Sequence, residues 1–206
     1  MKYLQFITHK NKRFGYLEGA MLALKGGCKW VQLRMKEASD SDFLALGKKI
    51  STLCKAYGAT FIVDDRVEMV KYLNADGVHL GKNDMPIEEA RSILSSDKII
   101  IGGTANTFDD IKKLYKEGVN YIGCGPFRYT QTKKQLAPIL GIEGYKKLLR
   151  EMKEENINLP IIAIGGIQRS DIAELSEIGL DGIAISSTIL CADNPIKEMK
   201  SIIQLI

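Results

Sequence analysis

The sequence predicts an α/β fold, a single (β/α)8 TIM barrel, on three observations. Short apolar runs rich in β-branched residues alternate strictly with amphipathic helical patterns. One step recurs: a helix ends at a glycine or turn, and a buried strand follows. It is seen at Gly27-Cys28-Lys29-Trp30-Val31-Gln32-Leu33, Ala75-Asp76-Gly77-Val78-His79-Leu80, Gly118-Val119-Asn120-Tyr121-Ile122-Gly123 and Gly179-Leu180-Asp181-Gly182-Ile183-Ala184-Ile185. In each case the glycine reads as a left-handed C-cap. Finally, eight such units consume the 206 residues, close to the lower limit of about 200 for an eight-unit barrel. Continuous apolar strands joined by crossover helices require a parallel sheet, and eight units favour closure over an open doubly wound sheet.

Taken in order, the strands are expected at Tyr3–Thr8, Lys29–Leu33, Thr60–Val63, Gly77–Leu80, Ile99–Gly102, Tyr121–Cys124, Ile161–Ile164 and Gly182–Ile185. Each is four to six residues of the type that suits a strand covered on both faces. Helical patterns lie between them at about Gly15–Lys25, Asp40–Tyr57, Arg66–Leu73, Ile87–Leu94, Thr107–Glu117, Ile142–Lys153 and Arg169–Ile178, with a last helix near Pro195–Leu205. No low-complexity stretch or linker divides the chain, so residues 1–206 read as one catalytic domain with no room for a second.

Composition narrows the function. Hydrophobic residues make up 45% and charged residues 26%, as in an ordinary soluble domain. Apolar stretches such as Leu159–Ile167 fall short of the roughly 18–20 residues that cross a bilayer, so no membrane association is expected. Met1–Lys12 lacks the order of a secretory signal. The net charge of +4 comes from basic residues interleaved with acids, which suits small anionic ligands rather than nucleic acid. The one early basic cluster, Lys10, Lys12 and Arg13, has no aromatic residues among it and reads as a solvated turn. Four cysteines without a CxxC pair suggest neither a zinc site nor a disulfide framework, and point to a reducing cytoplasm.

In a barrel, chemistry collects where the strands end at the C-terminal face. Beyond the second strand, Gln32, Arg34 and Lys36 fall on one side of an extended segment. Two cations and an amide there suit a phosphate or diphosphate, or else an ion-pair network with Glu37 or Asp40. Asp65 and Asp84 follow the third and fourth strands and would be neighbours. Paired carboxylates beside phosphate oxygens suit Mg²⁺; helix capping is the alternative, with Asp65 beginning the helix after strand three and with equal or greater weight for Asp84, which precedes Met85-Pro86, and the two roles are compatible. Gly165-Gly166 and Ser186-Ser187 follow strands seven and eight, where barrels commonly bind phosphate through bare backbone N–H groups. The long segment carrying Thr130-Gln131-Thr132-Lys133-Lys134 reads either as a closing loop or as a solvated one. Two anionic sites imply two phosphorylated substrates or two ends of one.

Four ordered motifs carry a family resemblance across nearly the whole chain. Gln32-Leu33-Arg34-Met35-Lys36, Asp76-Gly77-Val78-His79-Leu80-Gly81 followed by Asp84, Gly125-Pro126 leading to Thr130-Gln131-Thr132-Lys133, and Ala163-Ile164-Gly165-Gly166-Ile167 resemble those of the thiamine phosphate synthase (thiamine phosphate pyrophosphorylase) family, which includes thiazole tautomerase relatives. The resemblance implies a transferase that joins hydroxymethylpyrimidine diphosphate to thiazole phosphate and releases diphosphate. In that family the pyrimidine diphosphate ionises first and the thiazole nitrogen captures the carbocation, so no general base is needed. Mapped by motif, Gln32, Arg34, Lys36 and Lys133 hold the pyrimidine diphosphate, with Arg34, Lys36 and Lys133 as the catalytic cations. Thr104 meets the pyrimidine, Asp65 and Asp84 hold Mg²⁺, and Thr130, Thr132, Gly166, Ile185 and Ser186 hold the thiazole phosphate.

The chain departs from the family pattern at several positions, including Thr104, which keeps the hydroxyl of the usual Ser. Asp64 stands where Asn is usual, Asn106 where His is usual, and Arg128-Tyr129 replaces a more apolar, Pro-bearing approach. Asp64 therefore borders the substrate either as an added ligand or as a repulsive charge. Two alternatives remain: a thiazole tautomerase, and a non-catalytic phosphate-binding barrel that senses thiamine precursors. Apolar positions on the outer helices would suit a homodimer.

Overall fold

The computed structural model describes residues 1–129 and 138–206. Eight parallel strands close into a barrel in sequence order: β1 (Tyr3–Ile7), β2 (Trp30–Leu33), β3 (Thr60–Asp64), β4 (Gly77–Leu80), β5 (Ile100–Ala105), β6 (Tyr121–Cys124), β7 (Ile161–Ile164) and β8 (Gly182–Ile185). Closure is made by β1 on β8, where Leu4 pairs with Ile183 and Phe6 with Ile185. The helices are α1 (Tyr16–Lys25), α2 (Asp40–Tyr57), α3 (Met69–Leu73), α4 (Ile87–Leu94), α5 (Phe108–Lys116), α6 (Gly141–Glu154), α7 (Ile172–Glu177), α8 (Ser187–Leu190) and α9 (Pro195–Ile203). The expected (β/α)8 barrel is the observed fold.

Strand alternation divides the core into two. Outward-facing Phe6, Val31, Val63, Val78 and Ile101 pack under the helices with Phe43, Ile50 and Ile111, all with no more than a trace of exposure. Inward-facing Tyr121, Ile162 and Ala184 pack with Tyr3, Trp30 and Ile164 inside the barrel. Trp30 and Tyr121 meet edge to face, with ring centroids 4.8 Å apart. Glycines make room for these rings: a Cβ at Gly102 would stand 2.2 Å from the Tyr121 ring, and one at Gly123 would stand 2.9 Å from His79.

Several local expectations are corrected. Gly27, Gly118 and Gly179 do take positive φ at their helix ends, but before β4 that role falls to Asn74, with φ 48°. Gly77 lies inside β4 because a Cβ there would come within 2.1 Å of the Ile100 carbonyl oxygen. The strand β5 extends to Ala105 and so contains Thr104. The helix after β3 begins at Met69 rather than Arg66, and a 3₁₀ turn, Arg169–Asp171, precedes α7. The short helix α8 had no forecast. Among the described residues no helix is long and apolar enough to cross a membrane.

Of the four cysteines, Cys28, Cys54 and Cys124 are buried and Cys191 is exposed. Burial pushes the first three thiols up to about 11, about 12 and about 12. An aromatic disulfide reagent at pH 8 should therefore label one thiol quickly in the native protein and all four in denaturant. Rapid native labelling of two or more would contradict this packing.

Candidate active site

The C-terminal ends of the strands surround a cavity of about 170 Å³ whose walls include Gln32 and Arg34 on one side, Thr104 and Asn106 on a second, and Gly165, Gly166, Ile185 and Ser186 on a third. Extended geometry beyond β2 places Gln32 and Arg34 on the inner face together. The Arg34 N–H donates to the buried Thr8 hydroxyl at 3.0 Å, which fixes this segment against the exit of β1.

Lys36 lies at the junction of β2, β3 and β4. Its Nζ stands 3.5 Å from Asp64 Oδ2, 3.1 Å from Asp65 Oδ2 and 3.1 Å from Asp84 Oδ2. Arg34 Nε lies 3.7 Å from the same Asp64 oxygen. The ion-pair partners are thus these aspartates, while Asp40 pairs with Arg66 at 2.6 Å. Burial weighs against the charge of Lys36, but Asp64 and Asp84 outweigh it and hold the ammonium above its usual range. Burial likewise opposes ionisation of Asp84, yet the Gly81 N–H, 2.7 Å away, and Lys36 together hold its carboxyl below the usual range.

Neither metal candidate caps a helix. The residue before α3 is Glu68 and the residue before α4 is Pro86. Asp65 has φ 73°, a left-handed conformation uncommon outside glycine and asparagine, and its N–H donates to the His79 carbonyl at 2.9 Å. Among the described residues no group of three or more His, Cys, Asp or Glu side chains forms a ready-made metal cage. Mg²⁺ does not need one, because it takes one or two carboxylates, waters and substrate phosphates. The hard-oxygen donors Asp65 and Asp84 fit that pattern. Asp64 adds a buried Oδ2 without a hydrogen-bond partner.

A chain of hydrogen bonds crosses the barrel beneath the cavity. Gln32 Nε2 donates to Gln5 Oε1 at 3.4 Å, and Gln5 Nε2 donates to the Tyr121 hydroxyl at 3.4 Å. That hydroxyl shares a hydrogen bond with His79 Nδ1 at 3.1 Å, and His79 Nε2 shares one with Thr104 Oγ1 at 2.9 Å. Gln5, His79 and Tyr121 were not foreseen as site residues. Their signal was a lone polar side chain at an inward position of an apolar strand, YLQFI for β1 and GVHL for β4. His9 also lines the cavity, and burial together with the Arg34 charge lowers its pKa. The side-chain amide of Asn106 donates to the Gly125 carbonyl, tying the exits of β5 and β6 together.

At β7 and β8, Gly165 and Gly166 have φ 102° and 66°, which side chains other than glycine adopt at a cost. Ser186 Oγ is buried without a hydrogen-bond partner beside them. Thr130, Thr132 and Lys133 lie outside the described residues.

A family model described as thiamine monophosphate synthase matches residues 4–189. The chain belongs to the thiamine monophosphate synthase family. It is 56% identical over 202 residues to the thiamine-phosphate synthase of Phocaeicola vulgatus, covering 98% of this chain and 97% of that one. It is 53% identical to the thiamine-phosphate synthase of Bacteroides thetaiotaomicron, covering 100% and 98%. Among solved structures it resembles the thiamine phosphate pyrophosphorylase of Pyrococcus furiosus, with 32% identity, a TM-score of 0.87 and coverage of 98% and 94%. A 3-hexulose-6-phosphate synthase at 14% identity and TM-score 0.73 shares the barrel alone.

Asp64 sets a pH-dependent cost inside this family scaffold. Burial, reinforced by Asp84 and Asp65 and opposed by Lys36 and Arg34, pushes its carboxyl up to about 6. The folded value lies above the unfolded one, so folding favours the protonated form. Stability from this group is present below about pH 4 and lost as pH rises through 6, to the extent of about 3 kcal/mol. Asp64→Asn should therefore raise Tm by several °C at pH 8 and by little at pH 4, as measured by calorimetry. An unchanged Tm at pH 8 would show that the carboxylate carries no cost, and a lower one that it is a net stabiliser; either would contradict this account.

Proposed function

We infer that the chain catalyses the transferase reaction of the thiamine-phosphate synthases, joining hydroxymethylpyrimidine diphosphate to thiazole phosphate. The observation that carries this reading is that one cavity is lined by a cation just beyond β2, Arg34, and by the bare glycine backbone after β7, with Gln32 and Thr104 also in its walls, while Lys36 stands at the neighbouring exits of β2, β3 and β4. The synthase names of the curated relatives favour it over a tautomerase or a sensor.

The reaction breaks the bond between the pyrimidine methylene and its diphosphate oxygen, and forms a bond from that methylene carbon to the thiazole nitrogen. The nitrogen uses its lone pair and carries no proton, so no general base is required. Arg34, Lys36 and Lys133 take up the charge that develops on the departing diphosphate. A pair of unit charges about 4 Å apart contributes about 4 kcal/mol at an effective dielectric of 20, so such contacts suffice to steer the ionisation. Gln32 and Thr104, joined through Gln5, Tyr121 and His79, orient the pyrimidine. Gly166, Ile185 and Ser186, with Thr130 and Thr132, hold the thiazole phosphate so that the nitrogen faces the methylene carbon. Asp65 and Asp84 would hold Mg²⁺, with Asp64 beside them. When bound, the ion neutralises diphosphate charge and eases departure of the leaving group.

A cytoplasmic location and a homodimer belong to the same proposal. Tyr72 on α3 and Tyr115 on α5 are exposed apolar side chains that a dimer contact could cover.

Incubating the protein with both substrates and Mg²⁺ should yield thiamine phosphate and one diphosphate per turnover. In the same assay Asp84→Ala should lower kcat at least a hundredfold while thiazole phosphate still binds. A folded protein that binds thiazole phosphate but makes no product would overturn the synthase reading. Equal loss of turnover and thiazole phosphate binding in Asp84→Ala would make that acid structural.

A further inference from the structure

Arg128 is the first charged residue beyond β6 and one of the departures from the family pattern. It fastens the exit of β6 to the loop after β7. Its backbone N–H donates to the Gly165 carbonyl at 3.0 Å. Its guanidinium Nη1 donates to the Gly166 carbonyl at 2.9 Å. The same guanidinium forks onto Asp171, with Nη1 to Oδ2 at 2.6 Å and Nη2 to Oδ1 at 2.9 Å, and lies over the Phe127 ring at 4.8 Å. Asp171 is held in turn, since its Oδ2 accepts the Gln168 N–H at 2.7 Å. The Asp171 partnership raises the guanidinium pKa. A Cβ on Gly166 would stand 2.5 Å from Arg128 Cγ, so the side chain is packed directly against this loop.

We propose that Arg128 is a positioning residue that aims two consecutive backbone N–H groups, those of Gly166 and Ile167, into the cavity to receive the phosphate monoester of the thiazole substrate. The inference rests on the functional reading above and deepens it. In a planar trans peptide the C=O and the following N–H point in opposite directions. Arg128 draws the carbonyls of Gly165 and Gly166 toward itself, so the N–H groups of Gly166 and Ile167 turn the other way. Gly165, Gly166 and Ile167 all line the cavity. Among the described residues neither N–H has a hydrogen-bond partner. Left-handed backbone at two successive glycines would leave these peptides free to rotate. The bidentate Arg128–Asp171 pair removes that freedom, and N–H groups set in place before binding cost no reorganisation when the anion arrives. The side chain governs the Ile167 N–H, and the backbone of residue 128 governs that of Gly166.

Calorimetric titration with thiazole phosphate and with the corresponding thiazole alcohol tests this, together with steady-state kinetics. The wild-type protein should bind the phosphate ester more tightly than the alcohol. If it shows no such preference and no turnover, the functional reading itself fails. Given that preference, Arg128→Met should weaken the phosphate ester about tenfold, leave the alcohol within twofold, and raise KM for thiazole phosphate but not for the pyrimidine diphosphate. Asp171→Asn should move the ester in the same direction by a smaller factor, and Arg128→Lys should recover part of the loss. Equal weakening of ester and alcohol, or loss confined to Tm, would reduce Arg128 to a structural role. Tighter ester binding in Asp171→Asn would mean that the guanidinium meets the phosphate directly, and would overturn the clamp.

Discussion

The ammonium of Lys36, held among the carboxylates of Asp64, Asp65 and Asp84, is the interaction on which the rest of the site depends. With Arg34 included, two cations face three carboxylates, so the fully ionised cluster carries one net negative charge. A diphosphate approaching such a cluster meets repulsion before attraction. In the proposed reaction a divalent cation held by Asp65 and Asp84 would reverse the sign and free Lys36 for the substrate. Metal and diphosphate would then be thermodynamically linked at this cluster, with the buried Asp64 beside it. Parallel pairing of β2 with β3 and of β3 with β4 makes this cluster possible, because it sets the exits of the three strands side by side.

The two ends of the proposed site offer different chemistry. The exits of β2, β3 and β4 present charged side chains, which in the proposed reaction would suit a group that must leave. The exit of β7 presents backbone whose carbonyls are tied down from behind, which in the same proposal would suit a phosphate carried through unchanged. The chain from Gln32 through Gln5, Tyr121 and His79 to Thr104 spans the interior from β2 to β5. In the proposed reaction a pyrimidine seated above it would be oriented by hydrogen bonds.

Much of this was legible in the sequence because strand periodicity and exit position are local properties. The eight strands fall where short apolar runs place them, and Gln32, Arg34, Thr104, Gly166 and Ser186 reach one cavity because each lies within two residues of the C-terminal end of a strand. Partnerships between strands were not local, and they escaped. Lys36 pairs with Asp64, Asp65 and Asp84, acids far along the chain, and the spacing offered only the nearby Glu37 or Asp40 as ion-pair partners beside the phosphate reading. Asp65 bends into a left-handed conformation instead of starting a helix, since its N–H is claimed by the His79 carbonyl on the next strand. Gln5 and Tyr121 gain meaning only when barrel closure brings them level with His79. Arg128 was visible as an exception to a pattern, but its bond to Asp171 across 43 residues required the fold.

The most direct test of the linked metal and diphosphate wall is calorimetric titration of inorganic diphosphate into the protein with and without Mg²⁺ at fixed ionic strength. Affinity should rise at least a hundredfold when Mg²⁺ is present, about 2.7 kcal/mol. Equal affinity in the two titrations would contradict the account, because it would mean that Lys36 and Arg34 bind the diphosphate without first being released from their carboxylates.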